Sequence, residues 1–233
     1  YSLMNKVLFL YKSNSPLKII FYFLISKLSN FYFKNKIKRK KRQHKLLIDD
    51  KEITNDYFSP HSFNFFYYLK NLKPNFNYLE IGAYEGNSAM FVANNFSNAK
   101  IYCVDNWHKT EEYINHKDFF HIENNFDKNV KNFSNIVKFK IDSDNFFLKN
   151  KLKFDAIYID GYHYGPQVYK DCINAWKFLN INGYLICDDY IWAFYPQIKD
   201  NPCYFINRFL NQIKGNFKIK KISNSQIFIK KIN

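Results

Sequence analysis

The sequence lacks several patterns that would assign a function at once. None of its four cysteines forms a CxxC pair, so their spacing argues against a zinc site. No internal repeat occurs, which argues against a repeat array. Arginine is rare, with 3 residues against 32 lysines, and this bias is typical of an AT-rich genome. The lysine content is therefore weak evidence for any particular partner.

Positive charge dominates the sequence but is concentrated in one place. The formal net charge is +15, and eight of the positive residues lie in the basic tract, residues 34–45. A general nucleic-acid-binding protein usually carries its basic residues across a folded face. We therefore expect that nucleic acid is not the partner and that the tract is a local appendage.

Residues 17–33 form a strongly apolar segment directly before the basic tract. The segment is shorter than the roughly 20 residues of a membrane-spanning helix, and Lys18 and Lys27 interrupt it. No small-residue cleavage site follows, which argues against a secretory signal. An apolar helix before a polybasic tract is typical of an interfacial membrane helix, so contact of residues 17–45 with an anionic membrane surface is one interpretation. The alternative is a helix docked on the domain, followed by a solvated basic linker.

The positions of the cysteines bear on the compartment. Cys103 and Cys187 fall inside predicted strands, where a thiol packs as a small apolar side chain. Such free thiols indicate a reducing compartment, so we expect a cytoplasmic protein, with peripheral membrane contact as the open alternative.

From about residue 57 the hydrophobic pattern alternates between strands and helices. Short apolar strands alternating with helices predict an α/β fold with a doubly wound, Rossmann-like, mostly parallel sheet. Two strand-like runs around residues 223–225 predict a C-terminal antiparallel hairpin, which gives seven strands in all. Gly183 is expected to stop the helix before the fifth strand. Residues 1–50 are predicted to form an N-terminal helical and basic extension, and residues 51–233 the domain. The predicted strands are 78–82, 100–104, 136–141, 155–159, 184–187, 217–222 and 226–232, and the helices are 86–94, 122–133, 144–149, 166–179 and 205–213.

A glycine motif follows the first strand and opens a helix. Its pattern is acidic-x-Gly-x-x-x-Gly, with Glu80, Gly82 and Gly86 at the defining positions. Glycines allow a tight turn and a close approach to a ligand, and the helix N-terminus offers N–H groups to an anion. A dinucleotide site prefers G-x-G-x-x-G, and Glu80 stands at the first of those glycine positions. A plain strand-to-helix turn is the alternative interpretation.

Acidic residues also end the second and third strands. Asp105 follows Glu80 by 25 residues, a position at which nucleotide-binding α/β folds carry an acceptor for ribose hydroxyls. Asp142 and Ser143 lie where this fold binds adenine, so Asp142 could accept the exocyclic amine. Caps of the following loop or helix are the alternatives for both aspartates.

Three further carboxylates follow the fourth and fifth strands. Asp160 ends the fourth strand, and Asp188 and Asp189 end the fifth. Clustered carboxylates repel one another unless protons or a cation neutralise them, and oxygen ligands suit Mg²⁺ or Ca²⁺. We therefore predict a divalent metal site, with capping of the loop after the fifth strand as the alternative.

The runs YLEIGAYEGNSAMF and FDAIYIDGYH, with DCINAWKFLNINGYLICDDYIW, carry a family resemblance. Over about residues 57–232 the chain resembles the class I S-adenosylmethionine (SAM)-dependent methyltransferases, specifically the metal-dependent O-methyltransferases such as the macrocin and catechol enzymes. The resemblance implies the terminal hairpin, and Mg²⁺ bound by Asp160, Asp188 and Asp189. The residues that it implies for SAM are Glu80, Gly82, Tyr84, Gly86, Asn87, Ser88, Asp105, Asn106, Asp142, Ser143 and Asp160.

The function expected from the resemblance is O-methylation of a small molecule or sugar hydroxyl. His163, three residues after Asp160, is the first candidate for the catalytic base, and Asp160 is the second. A structural hydrogen bond is the alternative role for His163. A nucleic-acid methyltransferase, a non-catalytic SAM-binding or membrane-surface module, and a nicotinamide-dependent oxidoreductase are the rival functions. Asp160-Gly-Tyr-His163 stands where amino-methylating nucleic-acid enzymes carry D/N-P-P-Y/F, which counts against the first rival. The oligomeric state is not predicted.

Overall fold

A computed structural model of the chain describes residues 2–113, 119–223 and 225–233. Helices and strands alternate along most of it. The α-helices are α1 (Leu3–Lys12), α2 (Leu17–Tyr32), α3 (Lys34–Leu47), α4 (Ser62–Leu69), α5 (Asn87–Asn95), α6 (Ile122–Val130), α7 (Ser143–Lys149), α8 (Gly165–Phe178) and α9 (Pro202–Gln212). The strands are β1 (Asn77–Ile81), β2 (Lys100–Asp105), β3 (Ile136–Lys140), β4 (Phe154–Ile159), β5 (Leu179–Cys187), β6 (Phe217–Ile222) and β7 (Ile227–Lys231).

The strands form one mixed sheet of seven in the order β3-β2-β1-β4-β5-β7-β6, flanked by helices. β1 pairs with β2, β2 with β3, and β4 with β5, all in parallel. β7 pairs antiparallel with both β5 and β6, which makes the last two strands a hairpin. The predicted Rossmann-like sheet with its terminal hairpin is therefore confirmed.

Contacts divide the chain into two compact units. The glycine-loop unit is Phe33–Lys149, and the hairpin unit is Tyr1–Tyr32 with Asn150–Asn233. Each has a core of apolar strand residues packed against aromatic helix residues. In the glycine-loop unit the buried residues include Leu79, Ile101, Phe65, Phe91 and Phe126. In the hairpin unit they include Ile157, Leu185, Ile186, Phe209 and Phe228.

One local prediction is wrong. Gly183 does not stop a helix, because α8 ends at Phe178 and Gly183 lies inside β5, which begins at Leu179. The glycine is required there by close approach: a Cβ atom would lie 2.7 Å from the carbonyl oxygen of Asp155. The alternative interpretation of the basic tract as a solvated linker does not hold, since the tract lies in the helix α3.

Helix α2 docks on the sheet of the hairpin unit through one face. Ile19, Phe23 and Ser26 on that face are buried. The ammonium group of Lys221 in β6 donates to the Ser26 carbonyl oxygen at 3.3 Å, Ser29 Oγ at 2.9 Å and Asn30 Oδ1 at 2.7 Å. Among the described residues, no helix combines the length and apolarity needed to cross a membrane.

Candidate functional site

The loop between β1 and α5 has the left-handed backbone that its glycines favour. Gly82, Tyr84 and Gly86 have φ angles of 87°, 47° and 80°. The Gly82 amide donates to the Val104 carbonyl oxygen at 2.8 Å, which ties the loop to the end of β2. Gly86 is the N-cap of α5, and the first amides of a helix have no partner within the helix. This geometry suits an anion at the helix N-terminus.

Glu80 and Ser88, both predicted to bind the cofactor, form a hydrogen-bonded pair. The Glu80 carboxylate is fully buried at β1, where it accepts hydrogen bonds from the hydroxyls of Ser88 and, at 3.1 Å, Tyr78. A buried carboxylate needs such donors because burial penalises its charge. The pair anchors the first turn of α5 to β1, and its role toward a cofactor remains a prediction.

Asp105 at the end of β2 is joined to the glycine loop. Its Oδ2 accepts the Tyr84 amide at 3.0 Å, and its Oδ1 accepts the Trp107 amide at 2.7 Å. The Trp107 indole in turn donates to the Tyr84 carbonyl oxygen at 2.9 Å. Burial raises the pKa of Asp105, and these backbone donors oppose the rise. The neighbouring Asn106 accepts the His108 amide at 2.9 Å, which fixes the start of the following loop.

The Asn87 side chain is held by residues that the sequence did not associate with the site. Its Oδ1 lies 2.6 Å from His44 Nε2, and its amide nitrogen donates to Asp56 Oδ1 at 3.2 Å. His44 belongs to the basic helix α3, yet it is buried with its ring edge-on to Phe58 and Phe91. Burial lowers the pKa of His44. The sequence did not predict this contact, because His44 stands alone among lysines and belongs to no motif.

Asp142 caps α7, whose first residue is Ser143. Asp142 Oδ1 accepts the Asn145 amide at 2.9 Å, and Oδ2 accepts the Asn145 side-chain amide at 2.7 Å. The backbone bond from Asn145 is the main reason that the pKa of Asp142 is lowered. The contacts of Asp142 are therefore those of a helix cap. Binding of adenine by Asp142 and Ser143 stays a prediction.

In the hairpin unit, His163 lies between two of the predicted metal ligands. Its Nε2 is 2.9 Å from Asp189 Oδ2 and 3.5 Å from Asp160 Oδ1. One ligand atom from each of the three residues lies within 4.8 Å of the others. Asp189 reaches this position with a φ of 50°, and the Trp192 ring packs against His163 with centroids 5.1 Å apart.

Asp188 has different neighbours from Asp189. Its Oδ1 accepts the Asp189 amide at 2.8 Å, and its Oδ2 accepts the Gln226 side-chain amide at 2.8 Å and the Tyr158 hydroxyl. The same hydroxyl lies 2.8 Å from Asp160 Oδ2. Burial and the charge of Asp188 raise the pKa of Asp160 to about 7, although His163 opposes the shift. Tyr158 and Gln226 were missed from the sequence, because neither belongs to a motif.

Comparisons with known proteins concern the domain and its fold. Residues 79–190, a little under half of the chain, match the model of a family described as a methyltransferase domain. No curated protein matches the chain. The chain has the fold of the Rossmann-like methyltransferases. The family match indicates a methyltransferase domain over residues 79–190, and the fold agrees with it.

Three solved structures are similar to the chain at low identity. The MycE methyltransferase of the mycinamycin pathway, in complex with Mg, SAH and mycinamycin VI, has a TM-score of 0.58 and 15% identity, covering 83% of this chain and 55% of MycE. The O-methyltransferase TomG from Streptomyces achromogenes, in complex with SAM, has a TM-score of 0.57 and 10% identity, covering 91% and 97%. A candidate rRNA methylase from Clostridium thermocellum has a TM-score of 0.55 and 14% identity, covering 71% and 94%.

Proposed function

We propose that the chain transfers the methyl group of SAM to a hydroxyl oxygen of a small molecule or sugar, assisted by a divalent metal ion. The cluster of Asp160, His163 and Asp189 carries this proposal, because three potential ligand atoms converge there. The structures of MycE and TomG support it at the level of the fold, since one holds Mg with a mycinamycin and the other is an O-methyltransferase.

The donor set fits a divalent cation. Two carboxylate oxygens suit Mg²⁺ or Mn²⁺, and an imidazole nitrogen is also a common ligand of the first-row transition metals. Asp160 and Asp189 belong both to the predicted set and to the set that geometry brings together. For the third ligand we favour His163 over Asp188, because hydrogen bonds from Tyr158 and Gln226 already engage Asp188 Oδ2.

The metal, when bound, would lower the pKa of the acceptor hydroxyl and so favour its deprotonated form. The chain's own residues would then position the acceptor oxygen for in-line attack on the methyl group. Positioning of this kind supplies much of the barrier reduction in such displacements. If His163 is not a ligand, its pairing with Asp189 at 2.9 Å favours a second role. The carboxylate would orient the imidazole and stabilise its protonated form, which is what a catalytic base requires.

The glycine-loop unit would hold SAM. The N-terminus of α5 would bind the methionyl carboxylate, Asp105 the ribose hydroxyls, and the surroundings of Asp142 the adenine. Glu80 is fully buried, so it would act on the ammonium group through the polar network with Ser88.

Two measurements test this proposal. In a thermal-shift screen, SAM and S-adenosylhomocysteine should each stabilise the protein and NAD should not. Calorimetric titration with Mg²⁺ or Mn²⁺ alone should show binding that Asp160→Asn and Asp189→Asn abolish, while the exposed control Asp49→Asn retains it. The third ligand is identified by comparing His163→Gln with Asp188→Asn. The variant that no longer binds the metal has lost a ligand. A protein indifferent to both SAM and metals would contradict the proposal.

A nucleic-acid methyltransferase is the main competing function. The net charge of +15 favours it, as does the structural similarity to a candidate rRNA methylase. A salt-dependent gel shift with RNA and DNA separates the two, because phosphate contacts weaken steeply as salt rises. Tight, salt-sensitive binding to either nucleic acid would favour this competitor over a small acceptor.

A further inference from the structure

Helix α2 has two apolar faces, and only one of them is covered. The inner face packs on β6 through Ile19, Phe23 and Ser26. The other face, which we call the α2 stripe, consists of large apolar side chains that are 40 to 81% exposed. The α2 stripe is Leu17, Phe21, Leu24, Ile25, Leu28, Phe31 and Tyr32.

The spacing of the α2 stripe is that of an amphipathic helix. At about 100° per residue, its seven side chains fall within an arc of roughly 120°, and the buried residues lie on the opposite side. Lys18 and Lys27 fall at the two edges of this arc. Helix α1 adds further exposed apolar residues to the same unit, namely Leu3, Met4, Leu8 and Tyr11. Contiguous apolar surface of this kind marks an interaction site rather than scattered exposure.

The charge of this region indicates what covers the stripe. Residues 2–48 contain twelve lysines and arginines and not one aspartate or glutamate. Helix α3, directly after the stripe in sequence, lines a pocket of about 310 Å³ through Lys36 and Arg39, with Lys70 from the end of α4. Among the described residues, none of these three cations forms an ion pair with a carboxylate.

We propose that the α2 stripe lies in the interface of an anionic lipid membrane, and that the cations Lys36, Arg39 and Lys70 attract anionic lipids to the chain. An apolar helical face edged by lysines is the pattern of a helix that lies in the membrane plane, and anionic lipids attract cations near the surface. A second copy of the chain is the less favourable occupant. Facing stripes would bring two sets of lysines together, and residues 2–48 offer no carboxylate to neutralise them.

Vesicle flotation of the full chain tests the apolar half of the proposal. The wild type should float with phosphatidylcholine vesicles that contain phosphatidylglycerol, and more weakly with phosphatidylcholine alone. The triple variant Phe21→Ser, Leu28→Ser, Phe31→Ser should bind at least about tenfold more weakly, because the inserted apolar area is lost. The matched control Phe120→Ser, Leu148→Ser, Ile181→Ser changes side chains of similar exposure outside the stripe and should bind as the wild type does.

A second pair of variants tests the charged half. Lys36→Gln, Arg39→Gln, Lys70→Gln should remove most of the preference for phosphatidylglycerol. The equally charged control Lys151→Gln, Lys199→Gln, Lys214→Gln should keep it. Stabilisation by SAM shows that each variant is folded.

Three results would overturn the proposal. These are a wild type that does not float, a stripe variant that floats like the wild type, and sedimentation showing a dimer that only the stripe variant loses. The last result would assign the stripe to a second copy of the chain.

Discussion

Replacing Gly86 by alanine should damage both stability and cofactor binding. Gly86 has a φ of 80°, and an added Cβ would lie 3.0 Å from Val130 Cγ1 and 3.1 Å from Phe126 Cδ2. The left-handed backbone costs an alanine about 1–2 kcal/mol. Crowding of the added Cβ against these two α6 side chains costs a further 1–3 kcal/mol, roughly. We therefore expect Gly86→Ala to lower the free energy of unfolding by about 2–5 kcal/mol.

The chain provides a matched control for the backbone part of this cost. Gly215 has a φ of 91°, and its added Cβ would meet nothing within 4 Å. Gly215→Ala should therefore lose only the backbone contribution, about 1–2 kcal/mol. The difference between the two variants, measured by urea unfolding, isolates the packing around the glycine loop.

The two variants should also differ in their response to SAM. Gly86→Ala displaces the first turn of α5, so stabilisation by SAM in a thermal-shift assay should fall, whereas Gly215→Ala should respond as the wild type does. Equal losses of stability in the two variants would refute the packing argument. An unchanged SAM response in Gly86→Ala would refute a role for this turn in binding.

Three further predictions follow from contacts in the two units. Asp160→Asn and Asp189→Asn should lower turnover by at least about 100-fold while SAM affinity changes only a few fold, as measured with a panel of hydroxyl acceptors and radiolabelled SAM. Burial lowers the pKa of Lys221 to about 8 from 10.5, so the unfolded chain binds more protons between these values. Stability should therefore rise with pH across that window by up to about 1.4 kcal/mol per pH unit, and Lys221→Met should remove this slope. Asp142→Ala should cost about 0.5–2 kcal/mol of stability through the lost α7 cap, whereas Asp142→Asn should keep the cap and reduce SAM affinity only if the carboxylate contacts adenine.

The periodicity of the sequence predicted the sheet because its central strands are short, apolar and largely buried. β2 and β4 lie within one residue of their predicted bounds, since polar residues close each run. β5 shows where this reasoning fails. Its first five residues include Asn180, Asn182 and Gly183, which read as a helix end and a turn. β4 pairs with Leu179 and again from Tyr184 onward, and the register shift between these pairs takes up the intervening residues. A hydrogen bond from the Asn180 side chain to Asp155 Oδ1 at 2.9 Å holds this irregular stretch against β4.

The candidate site was predictable where it follows strand ends and hidden where it depends on distant contacts. Glu80, Asp105 and Asp160 stand beside motifs whose position in an α/β sheet is known. The His44–Asn87 contact joins residues 43 positions apart, and no local pattern distinguishes His44 from a solvated histidine. Gln226 reaches Asp188 only because β7 returns to pair with β5.

The roles of the two adjacent aspartates illustrate the limit most clearly. The sequence presents Asp188 and Asp189 as equivalent, yet their carboxylates have different partners, Asp189 with His163 and Asp188 with Tyr158 and Gln226. Asp189 has a left-handed backbone, with a φ of 50°, and its carboxylate contacts different residues from that of Asp188. The Tyr158 hydroxyl has one hydrogen but lies within hydrogen-bonding distance of both Asp160 and Asp188, so it can donate to only one of the two carboxylates at a time. The clustering of charge could be predicted from strand ends, but nothing in the sequence distinguishes the carboxylate that faces the histidine from its neighbour.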